Sequence, residues 1–165
     1  MIQKQQCEQI LDVLLPFVEV TLKKYGEFYP VGAVLTTDNE KSITALETDE
    51  KKTKSQEVID NLIEIHQDMA NKNEIIASGI AYCSSIDDPE HKYSLAIVVT
   101  LEHKDDYSVV VGLPYKIGLF KRVQFGEMFA LKGNQNIFKN PLNEDFYNFI
   151  FSSNSFKNST INRWR

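Results

Sequence analysis

The stretch Tyr93-Ser-Leu-Ala-Ile-Val-Val-Thr-Leu-Glu102 decides the fold class. Tyr93, Leu95, Ile97, Val99 and Leu101 alternate with Ser94, Ala96, Val98, Thr100 and Glu102, the two-residue period of a strand with one face apolar throughout. The pattern predicts a central strand. His103-Lys-Asp-Asp106 reads as a turn, and the valine-rich Tyr107 to Leu113 that follows completes an antiparallel hairpin. Ile75 to Cys83 predicts a strand before it, ended by the turn-rich segment Ser84 to Glu90. From Ile75 to Ala130 the strand-patterned segments follow one another with only short polar breaks, which is a meander.

Working outward, Gln3 to Lys24 carries Ile10, Leu14, Phe17 and Leu22 as a candidate buried helical stripe. Pro16 lies inside it, so a kink between Asp12 and Pro16, or a restart of the helix with proline in its first turn, is expected. Gly26 is placed to end the helix in the left-handed conformation. Val31 to Thr36 and Ser42 to Glu47, joined by Asp38-Asn39, predict a hairpin, and Thr48 to Lys54 a loop. Ser55 to Lys72 predicts a second helix, opened by a capping box of Thr53 and Gln56 and carrying Val58, Leu62, Ile65 and Met69 at helical spacing.

Pro114 cannot donate to a ladder, so a strand should end there or lie on an edge. Arg122 to Ala130 predicts one more strand, with Gly126 marking a bulge. Asn140-Pro141 reads as an N-cap and first helical residue, followed by Leu142, Phe146, Phe149 and Ile150 at helical spacing. The expected architecture is α+β: a single antiparallel sheet of five to six strands flanked by helices, in the order α-β-β-α-β-β-β-(β)-α. Residues 1–151 read as one domain, and the Ser/Asn-rich residues 152–165 as a flexible tail.

A chain of 165 residues can bury roughly 70% of the surface its unfolded form exposes, so it needs no disulfide or metal staple. Cys7 and Cys83 have no CxxC spacing and fit reduced thiols. No basic region followed by an apolar core opens the sequence, and no segment approaches the roughly 20 apolar residues of a membrane span. The expected location is the cytoplasm. A formal charge of −5 argues against a nucleic-acid partner, although Lys51 to Lys54 and Lys116, Lys121 and Arg122 are local basic spots. The last three, with Phe120 and Phe125, define the weakest alternative, a stacking and phosphate-binding surface.

Element order resembles the roadblock and profilin-like architecture, whose members include adaptors, dimeric scaffolds and small-ligand sensors. Tyr25-Gly-Glu-Phe-Tyr-Pro30, Gly32-Ala-Val-Leu35, Leu101-Glu-His103 and Leu113-Pro-Tyr115 also resemble a family of small uncharacterised bacterial proteins. Small acidic bacterial proteins of that kind include toxin-neutralising immunity proteins. The resemblance transfers no site residue.

The chemistry-bearing residues form no catalytic or metal signature. His66 shares the apolar helical face of Ile59 and Ile63 and reads as a packed histidine, because one imidazole without partners holds no metal. His91 sits in a carboxylate-rich turn. Cys83 reads as a buried thiol, and Gly112, Gly118 and Gly126 as bends too far apart to cradle a phosphate. Glu102 and His103, with Asp105 and Asp106, are the best acid–base candidates, but neighbours on a strand point to opposite faces. Together with Tyr115 they are the groups a ligand cleft beside the sheet would use. Eight of the ten phenylalanines follow residue 119. Phe146, Phe149, Ile150 and Trp164 are therefore the interaction candidates, since aromatic residues and arginine anchor interfaces. The expected function is non-enzymatic protein binding or self-association as a homodimer, of adaptor or immunity type, with no cofactor. The alternative is a small-ligand sensor or enzyme using the cleft.

Overall fold

The computed structural model describes residues 1–47 and 54–138, and the backbone of 162–163. Two helices, α1 (Ile2–Tyr25) and α2 (Ser55–Asn71), pack on an antiparallel sheet. Its strands are β1 (Val31–Thr36), β2 (Lys41–Thr44), β3 (Ile75–Ser85), β4 (Leu95–His103), β5 (Tyr107–Ile117), β6 (Val123–Phe125), β7 (Phe129–Lys132) and β8 (Asn162–Arg163). They lie in the order β2-β1-β3-β4-β5-β7-β8, with β6 also on β5. This is the expected α+β class with a single antiparallel sheet. The helix expected from Pro141 lies outside the described residues.

The alternation in β4 separates two cores. Ile97, Val99 and Leu101 join the buried face of α1, while Ala96 and Val98 join that of α2. Covering a sheet on both faces explains why its central strands are apolar at nearly every position. On α1 the stripe runs through Cys7, Ile10, Leu11, Leu14, Leu15, Val18 and Leu22. Each such side chain contributes about 2 kcal/mol relative to exposure. Phe17 was expected in that stripe but lies one residue, a turn of about 100°, from Val18 and is 44% exposed.

Pro16 does not divide α1, which is one helix from Ile2 to Tyr25. Asp12 and Pro16 are both on the exposed face, where solvent is at hand for the carbonyl that proline cannot serve. Gly26 ends the helix at φ 79°, and its N–H donates to Leu22 O at 2.8 Å.

The N-cap of α2 is Lys54 and makes no side-chain cap. The Gln56 amide instead donates to Asp60 Oδ1 one turn on, at 2.7 Å, so it forms no capping box; Thr53 is outside the described residues. The buried stripe is Val58, Ile59, Leu62, Ile63 and His66, with Ile65 and Met69 only half-buried.

Strand β5 continues through Pro114 to Ile117, past the expected end. The Pro114 carbonyl accepts the Gly126 N–H at 2.7 Å. Both backbone polar groups of a strand residue face the same neighbour, so the position that lacks an N–H faces the break between β6 and β7, while the β4 side keeps its register at Ala96↔Pro114. That break is the bulge expected at Gly126. Tyr115 pairs with Phe125 but Gly112 with Phe129, so β6 and β7 are one strand with an extra residue. Asn162 and Arg163, expected in a flexible tail, pair with Ala130 and Phe129. The outer edge of β7 offers unpaired backbone groups that a further strand satisfies.

Candidate functional site

The expected cleft does not assemble. Glu102 lies on the α2 side, His103 on the α1 side, and Tyr115 pairs with Leu95 at the far end of the β4–β5 ladder from His103↔Tyr107. Each is committed locally. Glu102 is buried, and its Oε2 accepts the N–H groups of Asn136 and Ile137, both at 2.7 Å. Burial pushes its carboxyl up to about 7, against the downward pull of those two hydrogen bonds. It acts as a latch on the segment after β7.

His103 Nδ1 accepts the Asp105 N–H at 3.0 Å, which puts the ring proton of the neutral imidazole on Nε2, where it donates to Gln6 Oε1 at 2.7 Å. Burial lowers its pKa, and the Asp105 carboxylate 3.8 Å away works in the other direction. Tyr115 shares a hydrogen bond of 3.1 Å with Cys83. Cys83 is an exposed free thiol rather than a core residue, two residues beyond the last β1–β3 pair, Val31↔Ala81. Burial of the sulfur still raises its pKa.

His66 is fully buried with both ring nitrogens engaged, Nδ1 by Ser78 at 2.7 Å and Nε2 by Thr44 at 3.2 Å. Burial pulls it down to about 4, which fits the packed role expected for it. Among the described residues no group of three or more His, Cys, Asp or Glu is arranged to hold a metal.

The exposed features gather at the hairpin end of β5 and β6. Gly118 N–H donates to Arg122 O at 2.8 Å and closes the turn. Inside it Phe120 and Lys121 both take left-handed backbone, φ 59° and 56°, a conformation that is uncommon for any non-glycine residue and costly for a bulky one. Leu119 is 85% exposed and Phe120 96%, beside exposed Lys121 and Arg122. Phe125 does not share this tip. It packs against the α1-side core under the Lys23 ammonium, 5.5 Å from the ring, so the two phenylalanines of the stacking alternative are apart.

Beside the base of the same hairpin lies a pocket of about 460 Å³. Its floor includes Tyr93, Pro114, Phe129 and Leu131, and its rim Asp87, Asp88, Glu90, Lys92 and Glu127. Gly126, at the bulge, makes room for the Tyr93 ring, and Gly112, which does not itself line the pocket, makes room for the Phe129 ring. A Cβ on Gly112 would run into the Phe129 ring, and one on Gly126 would come within 2.8 Å of Tyr93. Asp88 fixes the rim by accepting the N–H groups of Glu90, Lys92 and Tyr93 at 3.1, 2.9 and 3.0 Å. Lys116 stands over the Tyr93 ring at 5.6 Å.

No protein-family model matches the chain, and the searches of curated proteins and of solved structures found nothing similar to it. The site therefore stands on its geometry alone. Phe146, Phe149, Ile150 and Trp164 lie outside the described residues. The sequence singles out Phe120, Lys121 and Arg122 only as part of a stacking and phosphate-binding surface; their place with Leu119 on a closed hairpin turn was the feature missed. Its signal was there in Leu119-Phe120, two large apolar residues between Gly118 and Lys121-Arg122, in a place where the turn of a hairpin was due.

Proposed function

We propose that this chain is a non-enzymatic, cytoplasmic binding protein that engages a protein partner through the β5–β6 hairpin tip. The observation that carries this reading is the pair Leu119 and Phe120, 85% and 96% exposed on a closed turn. Large apolar side chains held out on a hydrogen-bonded turn leave less backbone to order on docking, which is one way that interface anchors gain affinity. The two left-handed residues store strain at that point, and strain persists where the surroundings impose it. The titratable side chains that could have served catalysis are engaged elsewhere: His66 by Ser78 and Thr44, His103 by Gln6, and Glu102 by two backbone N–H groups.

An adaptor or bacterial immunity-type role is the concrete form of the proposal, and the acidic charge of −5 and the resemblance of Tyr25 to Pro30 and its companion motifs support it. No described helix is long and apolar enough to cross a membrane. The test is a photo-crosslinking amino acid placed at position 120 in the native host, with position 64 on the exposed side of α2 as control. Protein adducts at 120 and none at 64 are expected. Equal labelling at both sites, or none at 120, would reject the tip as the binding element.

A further inference from the structure

We infer that the chain forms a two-fold dimer in which the hairpin tip of each copy seats Leu119 and Phe120 in the pocket beside Tyr93 and Phe129 of the other. This deepens the proposed function and rests on it, naming the partner as a second copy of the same chain. Tip and pocket are complementary in kind. The tip offers two apolar side chains followed by Lys121 and Arg122; the pocket offers an apolar floor under a rim that carries four carboxylates, Asp87, Asp88, Glu90 and Glu127, against the ammonium groups of Lys92 and of Lys116 over the Tyr93 ring, a net negative charge. A volume of about 460 Å³ is in the range of pockets that enclose a small ligand.

Within one copy the match cannot be satisfied. The β5–β6 ladder holds Gly118 four residues beyond Pro114, about 13 Å further along the strand, and the closed turn cannot fold back. Between copies it can. Two hairpins laid side by side in opposite directions bring each tip level with the base of the other, where the pocket lies. The contact is then the same on both sides and closes at two copies. The opposed charges steer the encounter and make it salt-sensitive.

The experiment is sedimentation of the full chain over about two decades of concentration, at low and high salt. A concentration-dependent dimer that weakens with salt is expected. F120S, and separately the double change D87K/E127K, should each weaken it roughly thirtyfold, the loss of one interface anchor, with unchanged circular dichroism because these side chains are on the surface. K121E/R122E should weaken it as well, and combining it with D87K/E127K in one chain should restore it. A wild-type chain that is monomeric throughout, or a dimer indifferent to both F120S and the rim changes, would overturn the inference. If position 120 crosslinks to a different protein while the purified chain stays monomeric, the tip-binding reading stands and the dimer falls.

Discussion

The two ends of strand β5 end in opposite states. At the Tyr107 end the backbone is tied down from several sides. Gly133 N–H donates to Ser108 O, Ser108 Oγ to Asn134 O, the Gln135 amide to the carbonyls of His103 and Tyr107, and Glu102 takes the N–H groups of Asn136 and Ile137. At the Ile117 end two backbone hydrogen bonds, Gly118 N–H to Arg122 O and Arg122 N–H to Leu119 O, close the turn, and two large apolar side chains stand in solvent. Polar residues at the first end satisfy the protein's own backbone, whereas apolar residues at the second satisfy nothing within the described structure. The contrast teaches where each end's free energy is realised: the first in folding, the second in association.

Breaking the tied end should have the largest effect on stability. Glu102→Ala removes the acceptor of two buried N–H groups and should cost about 3 kcal/mol in urea unfolding. Glu102→Gln keeps an acceptor oxygen and should cost about 1 kcal/mol or less; equal losses for the two variants would mean that the latch is only packing.

Next comes Gly32→Ala, whose Cβ would lie 2.6 Å from His66 Cε1 and 2.8 Å from Nε2. The ring is held by Ser78 and Thr44 and has little room to yield, so a loss of about 2 kcal/mol is expected from overpacking. An unchanged melting temperature would show that His66 can shift.

The pH profile sharpens the comparison further. Glu102 titrates at about 7 in the folded chain against the ordinary 4.5, so between those values the folded state holds more proton and its stability falls as pH rises. His66 titrates at about 4 against 6.5, so the unfolded state holds more proton and stability rises with pH over that window. Between about pH 4.5 and 6.5 the Glu102 and His66 slopes oppose each other, His103, also lowered by burial, adds to the rise, and Glu102→Gln should make stability rise more steeply with pH across the window. A flat profile in that variant would remove both histidines from the account.

The smallest effect belongs to the free end. Phe120→Gly relieves a left-handed phenylalanine at the cost of a more flexible unfolded chain, and should raise stability by about 0.5 kcal/mol while weakening association roughly thirtyfold, as F120S does. A marked loss of stability would mean that Phe120 packs against something in the monomer, contrary to its exposure.

Much of the fold was legible because its signals are local. Alternation in Tyr93 to Glu102 marked the central strand, Gly26 the helix end, and Gly126 the bulge. Pro114 misled because its conflict with a ladder depends on which neighbour its missing N–H faces, and only the break between β6 and β7 resolves that. Phe17 was misplaced because several helical stripes can be drawn through one apolar helix, and packing against the sheet selects one. The cleft of Glu102, His103 and Tyr115 failed for a reason visible in the sequence, since neighbours on a strand face opposite ways; that Tyr115 lies at the other end of the ladder was not visible.

By itself the sequence determined the α+β class, the strand-rich middle of the chain and the packed state of His66, because periodicity and residue chemistry act over a few neighbours. Only the tertiary structure decided that Glu102 latches residues 136 and 137, that Gly112 makes room for the Phe129 ring and Gly126 for the Tyr93 ring beside the pocket, and that Leu119 and Phe120 stand clear of both cores. Those outcomes depend on pairings between segments far apart in the chain, and no local pattern encodes which distant backbone group a carboxylate will meet.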